Sequence, residues 1–235
     1  RYTFQANTQI NAKEIQVKHL NSFWKDLEKI LLEEEYKIAL DPTLHSIIEI
    51  EKVEKMLKNS TFQLQLIDKN FVDLIWENQP KTQYTDIFDH PTSFAGQARS
   101  EKLDILKKFL DQNEIDHYFV SGLDNIAWLL NLRADDIKYT PLLYSYLLIS
   151  KNNKHSLYIK ESSMPEILKK EIQTLININN IENIRSIFNN INSSESIGLD
   201  FNSTTYYFLD LLRKQKISTK NLANPCILLK AIKNE

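Results

Sequence analysis

The sequence predicts an α/β protein of two tandem, related domains, each a mixed β-sheet flanked by helices, the first of them truncated. Three observations carry that expectation. Along the chain, apolar positions switch between a period of two and a period of 3.6. A strand ending in aspartate and running through a turn into a helix occurs twice, as Ile38-Ala39-Leu40-Asp41 and Ile197-Gly198-Leu199-Asp200, 159 positions apart. Between the halves, residues 77–97 hold Pro80, Pro91 and Gly96 and lack a sustained period.

Taken in order, residues 2–6 and 15–20 read as strands, the first alternating apolar and polar positions. Ser22 is an N-cap for a helix with Phe23, Trp24, Leu27, Ile30 and Leu31 on one face. Residues 36–40 form a short strand ended by Asp41-Pro42. Thr43 then caps a helix with Leu44, Ile47, Ile48, Val53, Met56 and Leu57 as its buried stripe. A strand at 62–66 and a short helix at 71–76 follow. The segment 77–97 is an ordered linker, because Tyr84, Ile87, Phe88 and Phe94 are too apolar for a free one.

In the second half, Ser100 caps a helix with Leu103, Leu106, Phe109 and Leu110 inward, leading to a strand at 117–120. Gly122 turns the chain into a helix near 124–131, and 142–149 is rich enough in apolar residues to be a central strand. A hairpin turn at 151–154 leads to a strand at 156–159. Next come a helix at 165–176, an Asn- and Ile-rich stretch at 176–194 carrying a helix and a strand, a strand at 197–199 and a helix at 204–214. Setting Tyr2 against Leu157 aligns the first strands of the two copies. The front portion of the second copy, 98–155, then has no counterpart, so the first domain is expected to start partway through, in line with the absence of an initiator Met. Such a domain would leave apolar surface or an unpaired sheet edge around residues 2–6. The expected division is 1–76 for the partial first domain, 77–97 for the linker, 98–224 for the second domain and 225–235 for the start of a third.

Composition removes several function classes. The chain of 235 residues is 42% hydrophobic, 26% charged and 10% aromatic, which excludes disorder and collagen. With 29 basic and 31 acidic residues, a net charge of -2 gives no electrostatic pull toward nucleic acid or an anionic membrane. A single cysteine, Cys226, excludes an intrachain disulfide. The apolar run at 142–149 is far short of a membrane span, and the N-terminus shows no targeting pattern, so a cytoplasmic location is expected. Only three glycines, Gly96, Gly122 and Gly198, are present and widely spaced. Dinucleotide fingerprints, phosphate-cradling loops and nucleophile elbows are therefore excluded. No two histidines share a helical turn, which removes the zinc-protease helix.

One polar cluster, Arg133, Asp135, Asp136 and Tyr139, lies between two apolar segments. Arg133 and Asp136 are the substrate-cleft candidates; the opposing reading is a surface turn with an internal ion pair. The adjacent acids Asp135-Asp136 lack the further ligands a metal requires. Trp128 reads as core rather than a substrate platform, and Trp24 and Trp76 as helix anchors. Asp41 and Asp200 recur at matching positions, which invites an acidic nuclease site, but helix N-capping is the simpler explanation. His45, His90, His117 and His155 show no partner pattern, and Cys226 reads as a buried small hydrophobe.

A resemblance to a known family rests on several segments: Arg1-Tyr2-Thr3-Phe4-Gln5, Trp76-Glu77-Asn78-Gln79-Pro80, Phe94-Ala95-Gly96-Gln97 with Lys102, IAWLLNLR at 126–133, and Leu229-Lys230-Ala231-Ile232-Lys233-Asn234-Glu235. In this order they resemble the N-terminal and middle domains of the cytosolic Xaa-Pro aminopeptidases (aminopeptidase P, creatinase-like family). Two departures are Arg133-Ala134 in place of Arg-Gly, and Ile137-Lys138-Tyr139 in place of Ile-Pro-Tyr. The resemblance implies a ribonuclease H-like topology for both domains. It implies a parent protein whose third, "pita-bread" domain holds two divalent metals, expected to be manganese, through two Asp, one His and two Glu beyond Glu235. The 229–235 segment would open that domain. This chain would then hold no catalytic or metal-ligating residue and have no peptidase activity, while the parent removes an N-terminal residue that precedes proline. The implied partners are peptides with proline in second position, the parent's own catalytic domain and, for the parent, a second copy; nucleic acid and membrane are not implied. The 133–139 loop would face the cleft, with Arg133 or Asp136 near the peptide's N-terminus or backbone. A free-standing binding or regulatory module is the rival, and a nuclease acting through Asp41 or Asp200 a more distant one.

Overall fold

Residues 2–11, 13–19, 22–33, 38–58, 63–152 and 154–233 are described by the computed structural model of this chain, apart from the side chains at 24, 28 and 31–33. The first element is a helix, α1 (Tyr2–Gln9), where a strand is expected at 2–6. Alternating apolar residues make a strand only if a neighbour takes up the backbone polar groups. Among the described residues none lies alongside, so the N–H and C=O groups close within the helix and Thr8 Oγ1 donates to the carbonyls of Phe4 and Gln5. The expected apolar surface is there, with Tyr2 and Phe4 exposed, but the expected sheet edge is not. Residues 15–19 likewise lack regular structure; residue 20 lies outside the described set. In α2 (Phe23–Glu33), Ser22 Oγ donates to the Asp26 carboxylate at 2.7 Å. Leu27 joins a small core while Phe23 and Ile30 stay exposed; the side chains of Trp24 and Leu31 lie outside the description.

Strands β1 (Ile38–Leu40) and β2 (Leu64–Leu66) pair in parallel across α3 (Ile47–Leu57). Ser46, not Thr43, caps α3, in a capping box with Glu49. Thr43 is taken up elsewhere, its N–H and hydroxyl both donating to the Asp41 carboxylate at 2.8 and 2.6 Å. Leu44 is consequently exposed, and Ile47, Ile50, Val53 and Leu57 form the buried stripe. After α4 (Phe71–Ile75), Trp76 is 49% exposed, so it is not the buried helix anchor expected. The linker contains β3 (Phe88–Asp89) and α5 (Thr92–Ala95). Ile87 is buried and Tyr84 half-buried, whereas Phe88 and Phe94 are exposed.

Helix α6 (Arg99–Gln112) starts one residue before the expected cap, because Glu101 accepts the N–H of Ala98 at 3.1 Å. It is followed by β4 (His117–Val120), α7 (Leu123–Leu130), β5 (Leu132–Arg133), β6 (Tyr146–Ser150), β7 (His155–Ile159), α8 (Glu166–Ile172) and β8 (Ile176–Asn180). Strand β9 (Ser196–Leu199), α9 (Tyr206–Lys214), β10 (Ser218–Asn221) and α10 (Cys226–Ala231) complete the chain. The strand expected at 142–149 begins only at Tyr146, since the Tyr144 N–H is spent on the Asp136 carboxylate rather than a ladder. Six strands form one mixed sheet in the order β10-β9-β4-β6-β7-β8. On one face Tyr118, Val120, Leu147, Ile149, Leu157 and Ile159 pack against α6, α7 and α8. On the other, Phe119, Leu148 and Tyr158 meet α9, residues 187–191, and Ile47 and Ile50 of α3.

The two β–turn–α units clasp each other reciprocally. Ser46 and Thr205, one residue before α3 and α9, form an antiparallel bridge. Ile47 N donates to Thr204 O at 3.0 Å and Tyr206 N to His45 O at 2.9 Å. Ile48 N donates to Phe201 O at 3.1 Å and Tyr207 N to Pro42 O at 2.9 Å. Each bond has its counterpart 159 positions on, so the sequence repeat is also a structural one. Asp41 and Asp200 serve this seam and not as helix N-caps. Asp41 accepts from the Thr43 N–H and the Asn70 amide, Asp200 from the N–H groups of Asn202 and Asn224, and both thereby fix the turns after their strands.

The copies differ at one informative position. Ala39 is exposed, but its counterpart Gly198 lies under the core, where a Cβ would sit 2.7 Å from Tyr118 Cδ2 and 2.8 Å from Ile115 Cδ1. Gly198→Ala should therefore cost about 1–3 kcal/mol of stability, whereas Ala39→Gly should cost under about 1 kcal/mol. Urea denaturation of both variants checks the asymmetry.

Candidate functional site

On the α6 side of the sheet a cleft of about 620 Å³ opens between α6, the end of α7 and α10. Its floor follows from how α6 packs. Leu103, Leu106 and Leu110 bury against the sheet, and Lys102, on the same helix, is carried under with them to 1% exposure. Lys102 Nζ donates to Trp128 O at 2.8 Å and Asn131 Oδ1 at 2.7 Å, and lies 4.4 Å above the Trp128 ring. Burial, and then the nearby guanidinium groups of Arg133 and Arg99, lower its pKa from 10.5 to about 8.

Asn131 ends α7 in the left-handed region, at φ 52° and ψ 41°, which asparagine tolerates better than most residues. Its Nδ2 donates to Gln97 O at 2.9 Å, and its own carbonyl accepts the His90 N–H at 2.8 Å. The turned chain enters β5, which pairs antiparallel with β3, Phe88 opposite Arg133. Arg133 is half-buried on the cleft wall, and its Nη1 donates to Ala127 O at 2.7 Å and Leu132 O at 2.9 Å. Burial lowers its pKa; burial and the charge of Arg133 also lower that of His90. Among the described residues no carboxylate lies within 4 Å of Lys102 or Arg133, whereas the neighbouring Arg99 pairs with Asp89 and Lys230 with Asp124.

The structure separates the two expected cleft residues. Arg133 lines the cleft, while the Asp136 carboxylate is occupied within the chain: Oδ1 accepts from Thr85 N at 2.7 Å and Thr85 Oγ1 at 3.0 Å, and Oδ2 from Tyr144 N at 2.9 Å. Asp136 thus clamps the linker to the approach of β6. Of the opposing reading, the surface turn is present, and Asp136 is held by hydrogen bonds rather than by an ion pair with Arg133. Asp135 is exposed, its N–H bonded to Thr85 Oγ1, and Tyr139 is 92% exposed. Trp128 packs partly against the core and also faces the cleft.

Two groups escape a reading of motifs. Lys102 and Asn131 sit in the segments that carry the family resemblance, yet only the helical spacing of Lys102, Leu106 and Phe109 signals that the lysine goes inward. The second is a histidine pair that does have partners. His117 Nδ1 is 3.0 Å from Ser150 Oγ, and the Ser150 N–H donates to His155 Nδ1 at 3.1 Å. Burial holds the pKa of His155 down at about 4, and burial also lowers that of His117 despite Glu195 beside it. Cys226 is buried, its thiol pushed up to about 12 by desolvation. No three His, Cys, Asp or Glu among the described residues converge as metal ligands, so these residues offer no donor set for the two metals implied by the resemblance.

If Asp136 is a clamp, Asp136→Ala strands three donors and should cost about 1–3 kcal/mol in urea denaturation, while Asp135→Ala should stay within about 0.5 kcal/mol.

Comparison with known proteins agrees with this architecture. Residues 78–235 match the model of the creatinase/prolidase N-terminal domain. A probable Xaa-Pro aminopeptidase P of Sordaria macrospora is 36% identical over 134 residues, covering 56% of this chain and 22% of that protein. A probable Xaa-Pro aminopeptidase P of Paracoccidioides brasiliensis (strain Pb03) is 31% identical over 176 residues, 73% of this chain and 28% of that protein. The chain therefore spans about a quarter of the length of these relatives. The crystal structure of X-prolyl aminopeptidase from Caenorhabditis elegans, described as a cytosolic enzyme with a di-nuclear active site, superposes at a TM-score of 0.83 with 23% identity, over 100% of this chain and 39% of that one. No helix among the described residues is long and apolar enough to cross a membrane. With the match extending over residues 78–235 and the fold shared along the whole chain, this protein belongs to the creatinase/prolidase N-terminal domain family.

Proposed function

We propose that this chain is a non-catalytic part of an Xaa-Pro aminopeptidase, whose parent removes an N-terminal residue preceding proline by two-metal hydrolysis in the cytoplasm. The observation that carries the reading is the 31% identity to the Paracoccidioides brasiliensis protein over 176 residues, joined to a fold that follows the Caenorhabditis elegans enzyme over 100% of the chain. The chain's own partners are then the parent's catalytic domain and peptides with proline in second position. Manganese, if it is the metal, would be bound by that other domain. In this reading Arg133 borders the substrate cleft, and Asp136, by clamping the linker, keeps the loop beside it in place.

The experiment compares this 235-residue chain with the longer protein that includes it, assaying release of the N-terminal residue from an Xaa-Pro peptide with manganese present. Turnover by the longer protein alone, abolished by chelation, is expected. Absence of turnover in both would replace this reading with a free-standing binding or regulatory module. Within the active protein, Arg133→Ala should lower kcat/KM roughly ten- to a hundred-fold, the loss of one charged contact, with the melting temperature shifted by only a few degrees. Unchanged kinetics with a lowered melting temperature would make Arg133 purely structural.

A further inference from the structure

We propose that the cleft beside α6 is a carboxylate-binding site, in which Lys102 and Arg133 together take the free C-terminal carboxylate of a short peptide while Trp128 packs against the residue that bears it. The inference rests on the aminopeptidase reading above and gives its cleft a ligand. It starts from an imbalance of charge. Four cations line one partly enclosed cleft. Lys230 pairs with Asp124 and Lys233 donates to the Lys230 carbonyl. Lys102, 1% exposed, and Arg133 are instead answered among the described residues by neutral oxygens: the Trp128 carbonyl and Asn131 amide for Lys102, the Ala127 and Leu132 carbonyls for Arg133. Buried charges are ordinarily paired, and an unpaired pair of like sign is costly unless an anion joins it. Glu101, the acid that lines the cleft, is already engaged with the Ala98 N–H.

Donors remain for such an anion. An ammonium has three N–H groups and Lys102 uses two of them. Among the described residues Arg133 bonds only through Nη1, leaving Nε and Nη2 for a ligand, and the fork of a guanidinium matches the two oxygens of a carboxylate. The walls argue against a bare inorganic ion: Phe94, Ile105, Trp128, Leu229 and Ile232 line the same 620 Å³, which suits an anion carried on an apolar group. Arg133 depresses the protonation of Lys102, and a bound carboxylate would reverse that effect.

The test uses the 235-residue chain and N-acetyl-prolyl-leucine, as free acid and as amide, at low ionic strength and neutral pH. Calorimetry should show saturable binding of the acid, with the amide and inorganic phosphate each at least about tenfold weaker, and Arg133→Met about tenfold weaker for the acid. The acid, but not the amide, should slow trinitrobenzenesulfonate labelling of Lys102, read by mass spectrometry. That arm needs no variant and decides the matter if Arg133→Met fails to fold. Equal binding of acid and amide, phosphate as good as the peptide acid, or unprotected Lys102 would each overturn the proposal. The acetylated dipeptide has no free N-terminus to be removed, so these outcomes are independent of whether the longer protein is an aminopeptidase.

Discussion

Lys102 Nζ joins segments that are distant in the chain: α6, which carries it, the end of α7 through the Trp128 carbonyl, and Asn131, whose amide reaches on to Gln97. Asn131 in turn takes the left-handed conformation that aims β5, and with it Arg133, along the cleft wall. The floor of the cleft therefore depends on a charged amine that is 1% exposed and that no acid among the described residues answers. A methionine of similar length would fill the space without that desolvation cost, but it would leave the Asn131 side chain and the Trp128 carbonyl without their donor. The arrangement is thus costly for stability and suited to recognition of an anion.

Behind the cleft, the sheet needs a second covered face, and the repeat supplies part of it. Four reciprocal backbone hydrogen bonds join the turns before α3 and α9. At about 0.5–1.5 kcal/mol net each, they matter less for their sum than for placing Ile47 and Ile50 against Phe119 and Phe208, where each buried isoleucine contributes about 1.5–3 kcal/mol. Residues 38–58 are in this sense a layer of the six-stranded sheet as well as a partner of β2. Glu54 extends the same contact, accepting from the Tyr206 hydroxyl at 3.3 Å while Arg213 donates to that hydroxyl at 2.6 Å.

What the sequence revealed tracks how local the cause is. The Asp41 and Asp200 turns, the strand at 117–120 and the stripe of α6 rest on spacing and turn chemistry within a few residues, and they were legible. Local pattern reads the two aspartates as helix caps, whereas the groups they bind include Asn70 and Asn224, more than 20 positions away. Residues 2–6 alternate like a strand, but strand formation is decided by a neighbour that local pattern does not encode. At the site, Arg133 is visible as a charge between apolar runs, whereas the task of Asp136 depends on Thr85, 51 positions earlier, and the burial of Lys102 on where α6 meets α7. Family resemblance identified the segments that hold Lys102 and Asn131 without saying what they do there.

The state of the Lys102 amine tests this account most directly. With its side chain labelled with ¹⁵N and ¹³C and assigned through a Lys102→Met variant, a pH titration by NMR reports its protonation alone. A buried ammonium facing Arg133 with no acid at hand should titrate at about 8, below the 10.5 of an ordinary lysine. Titration at 10.5 or above would mean that the amine is solvated or paired after all, and the cleft would lose the uncompensated charge on which its reading as an anion site depends.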